Sequence, residues 1–86
     1  MKNNLQLTHI HNRVVDIETT KTHGTFLVIA SDDSFIKCEK LYWNTVFDHS
    51  LNDEICEYYK SKRIVLIGIN QISTIEIVDK PLFRKE

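Results

Sequence analysis

Four histidines, two cysteines and a few paired carboxylates are the residues of this 86-residue chain whose chemistry could go beyond packing. His9 and His11 stand two apart, and on a strand that spacing points both imidazoles to one face, where they can chelate a transition metal. They are candidate metal ligands. Two ligands do not complete a site, and further donors would have to come from His23, His49, Cys38 or Cys56 through folding. Cys38 or Cys56 could act as a nucleophile with His49 as its base, since a thiolate needs a basic or cationic neighbour. Glu39 and Glu57 flank these cysteines and would hold their thiols protonated, so both read first as small buried hydrophobes. Asp32 and Asp33 fall in a polar turn, where aspartate goes to bond its own backbone. No stretch carries a catalytic or cofactor signature. The expectation is a non-enzymatic chain without a cofactor, with a metal- or thiol-dependent small enzyme as the weaker alternative.

The aromatic residues offer a different chemistry. Tyr42, Trp43 and Phe47 cluster between two predicted elements, and aromatic side chains on a patch poor in charge suit a protein partner. These three are the candidate partner-binding residues; they could equally close the end of a core. The alternative occupant is single-stranded nucleic acid, with bases stacked on aromatic rings and cations tracking the phosphates. Lys60, Lys62 and Arg63 form the cation cluster that would serve it. Eleven Lys and Arg against twelve Asp and Glu leave a net charge of −1 and a pI near 6.4, which lacks the cation excess on which non-specific nucleic-acid binding depends. Charge therefore favours the protein partner, and a small regulator or inhibitor is the function expected.

A chain this short has room for one domain, 1–86, and buries only about 60% of the surface its unfolded form exposes. A deep active-site cleft is hard to build at that size. Met1 to Gln6 lacks the apolar core of a signal peptide, no run approaches a membrane span, and the two cysteines fit a reducing compartment, so a cytoplasmic protein away from membranes is expected.

The elements that would position these residues are organised around Arg63-Ile64-Val65-Leu66-Ile67-Gly68-Ile69, the longest apolar run. Apolar residues at both odd and even positions predict a strand covered on two sides. Upstream, 1–12 reads as a loose arm, Val14 to Thr20 as a strand, and Lys21 to Gly24 as a turn in which Gly24 supplies a positive φ. Strands follow over 25–30 and 34–42. Ser50 with Asp53 suggests a capping box, acids then precede bases along the segment, and Leu51, Ile55 and Tyr59 fall at i, i+4 and i+8, which predicts a helix over 51–61. Asn70-Gln71 would join the core strand to a hairpin partner over 72–78, with 82–86 a frayed tail. Ile75 and Ile77 on that last strand could pair with a second copy, giving a homodimer.

The expected fold is thus mainly β with one helix (α+β): a five-stranded antiparallel, strongly curled sheet or barrel in the order βββαββ. That order resembles the OB-fold. Gly68 to Ile75 is similar to the second strand pair of Sm-like proteins, which makes an Sm-like or SH3-like barrel the competing architecture.

Overall fold

The computed structural model describes residues 7–84, and they form one six-stranded, mostly antiparallel open sheet with no α-helix among them. The strands are β1 (Val14–Thr19), β2 (His23–Ser31), β3 (Phe35–Asp48), β4 (Asp53–Gly68), β5 (Ile72–Ile77) and β6 (Leu82–Phe83), with 3-10 turns at Leu7–Ile10 and Ile69–Gln71. Their spatial order is β5-β1-β2-β3-β4-β6. Only the two-residue β6 runs parallel to its neighbour, pairing Leu82 with Glu57 and Phe83 with Tyr58.

Chain length forces the sheet to curl. Between β4 and β5 lie three other strands, so a flat sheet would hold them about 19 Å apart at the usual strand spacing. The connection Ile69–Gln71 is three residues long, and such a link reaches at most about 14 Å. The ends must therefore approach around a cupped face. On that face Val15, Ile17, Phe26, Val28, Ile36, Cys38 and Ile67 are buried together with Ile10, and Val65, Ile69, Ile72 and Ile75 pack against them. These positions alternate along β1 to β4, as one-sided burial requires, and on β5 a register shift opposite Glu18 and Thr19 separates Ile72 from Ile75 by three.

The five-strand, one-helix, barrel-like expectation is overturned: among the described residues there are six strands and no α-helix, and the sheet does not close. The predicted helix 51–61 is the tip and distal half of β4, and Tyr42 to Asp48 extends β3 to 14 residues. A regular ladder from Leu41↔Lys60 to Asp48↔Asp53 satisfies the backbone there, and Ile55, Tyr58 and Tyr59 suit a pleated ribbon at least as well as a helix. Ser50 does not cap a helix. Its N–H and hydroxyl donate to Asp48 Oδ1 at 2.8 and 2.6 Å, and Leu51 N–H donates to the same oxygen at 3.4 Å, closing the hairpin tip as an aspartate-centred turn. Asn52 follows at φ 53°, a left-handed conformation that asparagine tolerates.

The core strand is not sandwiched either. Val65 and Ile67 face the cupped core, while Ile64 and Leu66 turn to the other face and are 52% and 62% exposed. The hairpin expected between this strand and β5 is absent, because β5 pairs with β1 at the far edge (Val15↔Ile77, Ile17↔Ile75). With the helix, the closure and that hairpin gone, the likenesses to OB-fold and Sm-like barrels lapse. Gly24 has no positive φ; it sits in β2 opposite Ile17, and a Cβ there would come within 3.0 Å of the buried Phe26 ring. Its smallness makes room for that ring. Of the arm expected over 1–12, residues 1–6 lie outside the described part, and Ile10 joins the core. Of the tail expected to fray, Leu82 and Phe83 form β6, and 85–86 lie outside the described part.

Candidate docking face on the β3–β4 hairpin

The molecule measures 49 × 23 × 23 Å, and the long dimension belongs to the β3–β4 hairpin. Buried residues on β3 end at Leu41. Beyond that point the two strands continue to the turn at His49–Asn52 as an arm that, among the described residues, pairs further only with the short β6. A bulge marks where the arm leaves the body: Ser61, Lys62 and Arg63 of β4 stand opposite the single Lys40 of β3. Lys62 takes φ 65°, and its N–H donates to Glu39 Oε2 at 2.9 Å. Bulges of this kind bend a strand and increase its twist.

Paired residues of an antiparallel ladder share a face, so the register assigns every arm side chain. One face carries Leu41 and Lys60, Trp43 and Tyr58, Thr45 and Cys56, then Phe47 and Glu54. The opposite face carries Tyr42 with Tyr59, their ring centroids 5.8 Å apart, then Asn44 with Glu57 and Val46 with Ile55. Phe83 of β6 extends the first face: Trp43, Tyr58 and Phe83 lie in one row across three strands, Tyr58 and Phe83 with centroids 6.4 Å apart. Trp43 is 57% exposed and Phe47 50%. The structure thus brings Trp43 and Phe47 of the expected trio onto one face, two rungs apart, and puts Tyr42 on the other.

The foot of this face is continuous with the second side of the body, where Val14, Thr25 and Leu41 are buried and the Thr25 hydroxyl donates to Asp16 Oδ1 at 2.6 Å. Tyr58 senses that junction. Partial burial first, then the neighbouring Cys56 and the Asp16 carboxylate, push its phenol up to about 12. Next to it lies a cleft of about 560 Å³ lined by Leu27, Tyr59, Lys60, Lys62, Phe83 and Arg84. Lys60 and Lys62 of the expected cation cluster meet there; Arg63 does not line it. Sequence reasoning missed Phe83, Arg84 and Leu27, because a two-residue parallel pairing after Pro81 leaves no periodic signal.

The other candidate groups have local roles. His11 is hydrogen-bonded to Ser31 Oγ at 2.8 Å, and His9 is exposed in the first 3-10 turn, so the two-apart strand geometry proposed for metal binding is not formed. Among the described residues no three His, Cys, Asp or Glu side chains gather as a metal site. Cys38 is buried in the core, its thiol donates to Val65 O at 3.6 Å, and burial pushes it up to about 11. Cys56 is half-buried on the arm. His49 lies against Phe47 at the tip, ring centroids 4.9 Å apart. Asp32 accepts from the N–H groups of Ser34 and Phe35, both at 2.8 Å, and these bonds hold its carboxyl below the usual range.

Comparison with protein-family models, curated proteins and solved structures gave no match. No helix among the described residues is long and apolar enough to cross a membrane.

Proposed function

We propose that this chain is a non-enzymatic interaction module that engages a protein through the Trp43–Tyr58–Phe83 face of its projecting hairpin, as a regulator or inhibitor of what it binds. The observation that carries this reading is Trp43 at 57% exposure beside Phe47 at 50%, on strands whose core contacts have already ended. Large aromatic rings on a preformed ladder present contact area with little conformational entropy left to lose on binding, which is why such residues anchor interfaces. Trp43 is the chain's single tryptophan, so its fluorescence reports on this face alone.

The test is capture of partners from the source cell with wild-type protein and with Trp43→Ala and Phe47→Ala as baits, followed by reconstitution with the purified partner. Both variants should keep the wild-type circular dichroism and lose the partner, and the indole emission of the wild type should shift to the blue when the partner is added. A pair of folded variants that capture what the wild type captures would end this reading.

A second reading rests on the cleft beside the arm. Lys60, Lys62 and Arg84 converge there with Tyr59 and Phe83, and no carboxylate lines it; cations next to aromatic rings suit a single-stranded oligonucleotide. It requires oligonucleotide binding that weakens steeply with added salt, and the absence of binding at low salt removes it.

A further inference from the structure

The docking face is self-complementary. Lys60 stands on the rung opposite Leu41 at the foot of the arm, and Glu54 on the rung opposite Phe47 near its tip, both exposed and on the same face. Six residues of strand separate them, about 20 Å, too far for the two to pair within one molecule. The rung midway between them is Asn44↔Glu57. A twofold axis lying between the two packed faces, perpendicular to the strands at that rung, exchanges the foot and the tip. It lays Lys60 of one copy against Glu54 of the other, twice, and sets each Trp43–Tyr58 rung over a Thr45–Cys56 rung of the second copy. Large rings thus meet small side chains, and opposite charges close both ends. An isologous contact demands this kind of self-matching pattern from a single patch. The basic foot also contains Lys62 and Arg84, and the tip also contains Asp48 and Asp53, so the longer-range field has the same polarity as the pair.

We propose that the occupant of the Trp43 face is a second copy of this chain, the two arms packed face to face and antiparallel about the Asn44–Glu57 rung. This inference rests on the arm being a docking surface and names what docks there. Two or three strands' width of contact is at the small end of specific interfaces, so the dimer is a transient rather than an obligate pair. The two Cys56 thiols lie one rung from the axis, one on each side, whereas Cys38 is buried in the body of each copy. A short bis-maleimide therefore has one usable cysteine per chain, and it bridges the arms.

The experiment is sedimentation equilibrium of the purified full chain, together with Glu54→Lys, Lys60→Glu and the double variant. Each single reversal puts like charges together at both ends and should weaken dimerisation by at least about tenfold, since like-charge contacts cost several kcal/mol. The double variant restores opposite charges and should regain most of the wild-type affinity, a rescue that loss of fold cannot imitate. Wild type should cross-link through Cys56 with the bis-maleimide, and Cys56→Ser should not. A wild type that stays monomeric to millimolar concentration overturns the dimer. So does a dimer indifferent to both reversals but lost in Ile77→Lys, which would put the contact on the β5 edge. Neither result touches the docking face itself, which falls only if Trp43→Ala captures the same partners as wild type.

Discussion

The two halves of β4 show the same strand solving two different problems. Its C-terminal half, Ile64–Gly68, lies in the cupped body, where Val65 and Ile67 pack on Val15, Ile17, Val28, Ile36 and Cys38. Its N-terminal half, Asp53–Lys60, lies in the arm, where the ladder to β3 is complete but no core residue is buried. Both halves are laddered to β3, and the arm half also pairs with β6; it is burial that favours the body. Stability is therefore concentrated at one end of the molecule and accessible apolar surface at the other, with the Ser61–Arg63 bulge between them.

Truncating the same kind of side chain in the two halves should give the largest contrast. Ile36→Ala removes a side chain with no exposed surface and should cost about 2–5 kcal/mol, a large part of the roughly 5–15 kcal/mol that holds a small domain together. Trp43→Ala removes a larger side chain from the arm and should cost under about 1 kcal/mol, because most of that ring is already in water. Urea denaturation of both variants measures the difference. Equal losses would mean that the arm is part of the core and that Trp43 is not free to bind anything.

That contrast also marks what could be read from the sequence. The strands at 14–20, 25–30 and 72–78 fall within or beside β1, β2 and β5, because alternating β-branched residues bounded by polar turns leave a local pattern. Ile36 and Cys38, alternating with Lys37 and Glu39 within the expected strand 34–42, are buried as that alternation implies. The arm was not legible. Leu51, Ile55 and Tyr59 satisfy a period of four, yet Ile55, Glu57 and Tyr59 satisfy a period of two equally well, and only pairing with Val46, Asn44 and Tyr42 decides between them. Asp48, two residues before the misread Ser50 cap, was the informative residue. The double-sided apolar run at 63–69 pointed to two coverings where the chain supplies one, since sequence cannot say whether Ile64 and Leu66 are covered by the same molecule. The ladder puts Trp43 and Phe47 on one face and Tyr42 on the other, a division not readable beforehand because the expected strand ended at Tyr42 and left 43–49 without a pleat.

An intermediate effect is expected at the arm's tip. Ser50 donates to the Asp48 carboxylate through its hydroxyl and then through its N–H, with Leu51 adding a third bond, and together they hold that carboxyl below its ordinary 3.8. A carboxylate with a lowered folded-state value stabilises the fold above the unfolded-state value, and that contribution disappears as pH falls through the folded-state value. The tip should therefore loosen below about pH 4 while the body, whose core contains no carboxylate, keeps its protection. Amide exchange at Ser50 to Glu54 against Val15 and Val28 would show it. Asp48→Ala should reproduce the loosening at neutral pH with a smaller stability loss than Ile36→Ala. Uniform loss of protection in both regions at acid pH would show that arm and body melt as one unit.

The smallest effect, and the sharpest about the junction, concerns Lys62. Its φ of 65° places a side chain where a Cβ crowds the following carbonyl, and it is held there by the N–H bond to Glu39 Oε2. Glycine removes the crowding but adds freedom to the unfolded chain, so Lys62→Gly should gain under about 1 kcal/mol. Glu39→Ala should lose stability, because it frees that N–H while leaving the strained residue in place. If the bulge alone joins the two halves, both substitutions should move arm and body protection together; a change confined to the arm would mean that β6, through Leu82 and Phe83 on Glu57 and Tyr58, is the stronger tether.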